Sequence, residues 1–177
     1  MQAEIRICAV GGPRECGANC VEKRVGPFTV YVICSGEACV DEARKLLDAL
    51  SEAALRRLQG VCRGAGGCLE AFIDNGRLCC HTVLSEMPGM ASLIQALRRQ
   101  GVDVEVERGV VTLCAEVKSI DKQAIEKCVD RLRNAFLLLE SVYDMQRRIA
   151  EGVAKGIMLA GERQGEGGRS GGRRGKG

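Results

Sequence analysis

Val102-Asp103-Val104-Glu105-Val106-Glu107-Arg108-Gly109-Val110-Val111-Thr112-Leu113-Cys114-Ala115-Glu116-Val117 is the stretch whose reading decides the fold. Valines at 102, 104 and 106 alternate with carboxylates, the period-two signature of a strand with one buried face. Arg108-Gly109 has room only for a turn, so Val110 to Val117 returns as the antiparallel partner. Ser119 then offers an N-cap to a long helix in which Ile125, Cys128, Val129, Leu132, Phe136, Leu139 and Val142 recur at helical spacing, as far as about Gly152. A hairpin that feeds an amphipathic helix must lay that helix back on its own sheet, which predicts an α+β fold.

Towards the N-terminus the same logic repeats. Residues Gln2 to Val10 alternate as a strand, Gly11-Gly12-Pro13 ends it, and Arg14 to Glu22 reads as irregular with two cysteines. Phe28 to Cys34, β-branched and aromatic without a charge, is a strand. Ser35 offers an N-cap to one helix carrying Val40, Ala43, Leu47, Leu50, Ala54 and Leu58, which Gly60 stops. Arg63-Gly64-Ala65-Gly66-Gly67 reads as a flexible linker between two halves. Beyond it, Cys68–Ile73 and Arg77–Leu84 flank Asp74-Asn75-Gly76, a strong hairpin cue. Pro88 opens a helix through Leu93, Ile94 and Leu97 that Gly101 closes. The expected architecture is an antiparallel sheet with two or three helices packed on one face, in two related halves. Residues 1–62 form a β-β-α half, 68–160 a β-α-β-β-α half, and 161–177 a tail. At an offset of 82 residues, Ala43, Leu46, Leu47 and Leu50 fall on Ile125, Cys128, Val129 and Leu132, an agreement that any two amphipathic helices can reach.

Charge is distributed unevenly. The chain carries a net +3, and the segment 161–177 accounts for it with Arg163, Arg169, Arg173, Arg174 and Lys176 against Glu162 and Glu166. Rich in glycine and without apolar residues, this tail is expected to be disordered, and its spaced bases suit contact with RNA phosphates; the competing reading is a merely solvated tail. Aromatic residues make up only 3%, too few for base-stacking platforms. A single histidine, His81, excludes a histidine-based metal cluster. The N-terminus lacks the basic and long apolar regions of a signal peptide and no segment is long and apolar enough to span a bilayer, so a cytoplasmic chain without membrane partners is expected.

Eleven cysteines demand an account: Cys8, Cys16, Cys20, Cys34, Cys39, Cys62, Cys68, Cys79, Cys80, Cys114 and Cys128. Only Cys16 and Cys20 have the spacing of a zinc-chelating turn. Disulfides in an intracellular protein of a hyperthermophile are the other explanation, and three asparagines in 177 residues fit it. Cys79-Cys80-His81 suggests a nucleophile with its base, but neighbours on a strand point to opposite faces, and Cys79, which shares a face with His81, lacks an acidic orienter. Gly64-Ala65-Gly66-Gly67 contains a GxxG, yet it joins a helix to a strand where a KH domain needs two helices. No catalytic residue, metal or cofactor is expected, and the chain is read as a non-enzyme.

The last helix is more informative. Leu137, Leu138 and Leu139 are consecutive and so span about 200° of its circumference. Tyr143, Met145 and Ile149 extend the apolar surface further. A helix apolar on more than one face must bury each of them, one against its sheet and another elsewhere. Leu137, Leu138, Tyr143 and Met145 are therefore the candidate partner-docking residues.

The run Val104-Glu105-Val106-Glu107-Arg108-Gly109-Val110-Val111-Thr112-Leu113, followed by Ser119 and the helix Ala124 to Glu140 with Asn134, resembles the small dimerisation subunit of the KEOPS tRNA-modifying complex. Phe28 to Leu58 is similar in order, though not in wording. Subunits of that family pair into a continuous antiparallel sheet, so the resemblance implies two diverged copies fused as a pseudo-dimer. It implies a non-catalytic subunit of an assembly that threonylcarbamoylates tRNA, with protein subunits and tRNA or another RNA as partners. The cysteines and the Gly/Arg tail are departures from the family. Two other classes stand beside it: a zinc or thiol-redox protein, and an autonomous RNA-binding module.

Overall fold

The structure, a computed structural model of the chain, describes residues 1–9 and 16–167, the side chains of 163–167 excepted. It divides into two compact units, Met1–Leu139 and Glu140–Gly177. The first holds one seven-stranded sheet, formed by β1 (Ala3–Cys8), β2 (Cys20–Val25), β3 (Phe28–Cys34), β4 (Cys68–Asp74), β5 (Arg77–Ser85), β6 (Val102–Glu107) and β7 (Val110–Glu116). Its order is β2-β3-β1-β4-β5-β7-β6, and every pairing is antiparallel. The helices are α1 (Val40–Ala49), α2 (Glu52–Gln59), α3 (Met90–Arg99) and α4 (Lys122–Gly167). The α+β class and the antiparallel sheet are those the sequence implies.

Alternation builds the core. Ile5 and Ile7 of β1 stand opposite Val32 and Val30 of β3, and Val102 and Val104 of β6 stand opposite Ala115 and Leu113 of β7. Leu46 and Leu47 of α1, Leu55 and Leu58 of α2, Leu97 of α3, and Ile125, Leu132 and Leu139 of α4 are all buried with them. Each such side chain contributes about 1.5–3 kcal/mol by leaving water.

Several boundaries differ from the sequence reading. An additional strand, β2, begins in the stretch Arg14 to Glu22 read as irregular and runs past it to Val25. Its Glu22-Lys23-Arg24 run hides the pattern, yet charges are what an edge strand paired only to β3 carries. The helix read as continuous from Val40 to Leu58 is two, which makes four helices where two or three were expected. Leu50 turns extended (ψ 113°), and the Ser51 hydroxyl accepts the Ala54 N–H at 3.1 Å to begin α2. Ser35 caps nothing; its hydroxyl donates to the Gln2 carbonyl at 2.9 Å, and a 3-10 turn at Glu37–Cys39 precedes α1. The cap of α4 is Asp121, which accepts the Ala124 N–H at 2.9 Å and a hydrogen bond from Ser119. That Ser119 bond, with the Ala124 N–H behind it, holds the Asp121 carboxyl below its usual range. Pro88 precedes α3, which starts at Met90 after Gly89 in a left-handed conformation.

The stretch 63–67 is not a flexible linker. Arg63 donates its N–H to His81 O at 2.7 Å and accepts one from Glu70 at 3.1 Å, and Ala9 N–H reaches Gly67 O at 3.3 Å. A Cβ at position 64 would lie 1.8 Å from the Cys68 carbonyl oxygen, so Gly64 is there for a close backbone approach. At the other end, α4 runs on to Gly167, well past Gly152. Residues 161–167 are thus helical, where a disordered tail was expected, because Ala160, Glu162, Arg163 and Gln164 are good or acceptable helix formers among the glycines. The rest of the tail, with Arg169, Arg173, Arg174 and Lys176, lies outside the described residues.

A constant spacing runs through the fold. β2 and β6 begin at Cys20 and Val102, β3 and β7 at Phe28 and Val110, and α1 and α4 at Val40 and Lys122, each pair 82 residues apart. The hairpin registers coincide too: Cys20 faces Ile33 as Val102 faces Ala115, and Val25 faces Phe28 as Glu107 faces Val110. β1 lies beside β3 as β5 lies beside β7. β4 and α3 have no such counterpart among the described residues.

The β6–β7 turn holds Arg108 at φ 51° and Gly109 at φ 78°, the backbone that the Asn75-Gly76 turn adopts with a better-suited first residue. The Arg108 side chain is solvated, with only a 3.9 Å approach to Glu107. Arg108→Asn should therefore raise the unfolding free energy by about 0.5–1 kcal/mol. In urea titration the midpoint should rise with an unchanged slope.

Candidate functional surfaces

Ten of the eleven cysteines are paired: Cys8–Cys68, Cys16–Cys20, Cys34–Cys39, Cys62–Cys80 and Cys79–Cys114. Their positions follow from the sheet. Cys8 and Cys68 are directly opposite on β1 and β4, and Cys79 and Cys114 on β5 and β7. Cys16 and Cys20, the pair with chelating spacing, are bonded to each other, so zinc coordination there would require reduction first. The pairing also removes the nucleophile from Cys79-Cys80-His81, since both sulfurs are in disulfides. His81 is exposed on the sheet, with Nδ1 2.8 Å from Thr112 Oγ1 and its ring 5.8 Å from that of Phe72.

Cys128 keeps its thiol. It is buried on α4 and donates to the Ala115 carbonyl at 3.5 Å. Burial pushes its pKa up to about 12, partly offset by Arg131. A thiol so placed is a poor nucleophile at neutral pH.

The four docking residues fall in different units. In Met1–Leu139, Leu137 and Leu138 are 46% and 39% exposed, while their neighbours Phe136 and Leu139 are buried. That contrast follows from the 100° step between consecutive helical residues. In Glu140–Gly177, Met145 is exposed and Tyr143 half-buried. Val153, Ile157, Met158 and Leu159 of that unit are exposed as well, and the sequence reading missed them because it ended the helix at Gly152.

The sheet face away from the core carries Glu4, Glu22, Glu70, Asp103, Glu105 and Glu116 against Arg6, Arg24 and Arg77. Arg77 is already shared among Asp74, Asp103 and Glu105 at 3.5–3.9 Å. Carboxylates in the majority repel phosphates, so this face is a poor platform for nucleic acid. No described helix is long and apolar enough to cross a membrane.

Comparison with known proteins finds no family model, no curated protein and no solved structure that matches the chain.

The thiol inventory is measurable. Without reductant, the denatured chain should incorporate one equivalent of iodoacetamide, at Cys128, and the native chain none at neutral pH. Because the folded pKa of Cys128 is raised, its contribution is complete below the unfolded value of 9.0 and is lost as pH rises towards about 12. Unfolding free energy should fall there by about 1.4 kcal/mol per pH unit, a slope that Cys128→Ala removes.

Proposed function

We propose that the chain is a non-catalytic scaffold subunit of a tRNA-modifying assembly of the KEOPS kind, in which one polypeptide supplies the paired sheet that two smaller subunits would otherwise form together. The observation that carries this reading is the recurrence of the β-β-α unit at a fixed offset of 82 residues, with the same strand bounds and hairpin register. Chance helical spacing does not fix the turn, both strands and the helix start at once.

The two sets are joined as a built-in pair would be. Between the helices, Ser51 Oγ donates to Glu126 Oε1 at 3.0 Å and Arg57 pairs with Asp130 at 2.9 Å. Within the sheet, β1 and β5 are linked through β4. Partner proteins dock on Leu137 and Leu138, and on Tyr143 and Met145 of the following unit. RNA contact falls to Arg163, Arg169, Arg173, Arg174 and Lys176. The carboxylate-rich sheet face does not favour an autonomous RNA-binding module. The reading places the chain in the cytoplasm of a thermophile, where intracellular disulfides persist.

Deleting the gene in its native source should abolish threonylcarbamoyladenosine in digested tRNA, measured by mass spectrometry, and an unchanged level would overturn the proposal. Leu138→Glu should fail to restore it. A central docking leucine contributes on the order of 2 kcal/mol, roughly thirty-fold in affinity. The variant's circular dichroism should stay native; if it unfolds instead, Leu138 belongs to the core and the docking role is lost.

A further inference from the structure

The unit Glu140–Gly177 exposes a large apolar surface on one helix. Met145, Ile149, Val153 and Ile157 are 55%, 60%, 58% and 68% exposed. At 100° per residue these four fall on one side, together with Gly152, Gly156 and Ala160. Asp144, Arg147, Arg148, Glu151, Lys155 and Glu162 take the other side. Scattered apolar residues on a surface are ordinary, but a contiguous stripe of them marks an interaction surface. Gly152, Gly156 and Gly161 each cost a helix interior about 1 kcal/mol relative to alanine, a cost that covering the apolar face offsets.

We propose that this stripe is the interface with a second copy of the chain, the two segments packing against each other as a symmetric helix pair. Area is the first argument. The four exposed side chains and Leu159 beside them bury roughly 100 Å² each, so two copies remove on the order of 1,000 Å² from water, about the least that a specific interface must clear. Charge is the second. Between residues 140 and 160 three acids stand against three bases, and the chain's basic excess lies beyond, in 161–177, so the stripe is not backed by the basic face that draws an amphipathic helix to anionic lipid. A copy of the same balanced helix meets no net repulsion. The shape agrees with a close pair, since among the described residues nothing beyond the adjoining helix backbone lies within 4 Å of a Cβ built at Gly152 or Gly156. Helix backbones can approach each other there, and a two-fold axis brings the same small residues together from both sides. The stripe shares only Met145 with the docking surface of the scaffold reading, and Ile149, Val153 and Ile157 belong to it alone.

Sedimentation equilibrium of the full chain at micromolar concentration tests it. The expected mass is twice that of the chain. Ile149→Glu should weaken the dimer by at least about tenfold. Gly156→Leu should do the same although leucine is more apolar and a better helix former, because the added side chain holds the backbones apart. Met158→Lys, exposed but off the stripe, should leave the dimer intact. Helical circular dichroism of each variant guards against unfolding, and Gly156→Leu decides the matter if Ile149→Glu melts. A monomeric wild type would overturn the proposal, whether it stays free or floats with phosphatidylserine vesicles. A dimer that Gly156→Leu leaves equally tight, or makes tighter, would overturn it as well.

Discussion

The ladder between β1 and β4 is the contact on which the rest of the first unit depends. It pairs Ala3 with Ile73 and continues to Cys8 opposite Cys68. On one side of it stand β3 and β2, and on the other β5, β7 and β6. Opened at this ladder, the sheet would become two smaller ones, each with a newly exposed edge of unpaired backbone groups and half a core. The Cys8–Cys68 disulfide sits at the end of the ladder and closes a loop of sequence separation 60. By chain entropy such a crosslink stabilises by about 4 kcal/mol, against about 2 for one of separation 4 such as Cys16–Cys20. The covalent bond with the greatest entropic effect is thus placed on the contact that holds the halves of the sheet together.

How much of this could be read from the sequence depended on what the chemistry of each residue had to satisfy. Alternating valines at 102, 104 and 106 and the Asn75-Gly76 turn have one good solution each, and both hairpins were legible. Glu22-Lys23-Arg24 has many solutions, and only the place of β2 at the edge, beside β3, makes a charged strand sensible. The break at Leu50 was hidden because Ala54, Leu55 and Leu58 keep helical spacing on both readings, while Ser51 announces a cap. Of the docking surface, the exposure of Leu137 and Leu138 could be anticipated from three consecutive leucines. The apolar stripe beyond Gly152 could not, because Gly152, Gly156 and Gly161 weigh against a helix by propensity.

Glycine explains the other misreading as well. Composition treats Gly64 to Gly67 as slack, yet Cys62 and Cys68 at either end are both disulfide-bonded and the backbone between them is hydrogen-bonded to β4, to β5 and to Ala9 just after β1. Gly64 is small because a carbonyl lies against it. The same residue type serves an opposite end in the last helix, where Gly152 and Gly156 have open space around them. A glycine's meaning is therefore set by what lies within a Cβ radius of it, a quantity that composition does not contain.

Exposed large apolar side chains, finally, are concentrated on α4 among the described residues. The sheet face away from the core is rich in carboxylates, and α1 and α2 show solvent Asp41, Glu42, Arg44, Asp48 and Arg56. Leu137 and Leu138, on the compact unit, are two neighbouring side chains beside a well-packed core, a geometry suited to insertion into a partner's pocket. The stripe from Met145 onward is long, shallow and lined with small residues, suited to another helix along its length. A pocket-seeking pair and a helix-seeking stripe ask for different partners, so Leu137 and Leu138 stay open to one contact while the stripe makes the other, and Met145 is the one residue that both proposed surfaces share.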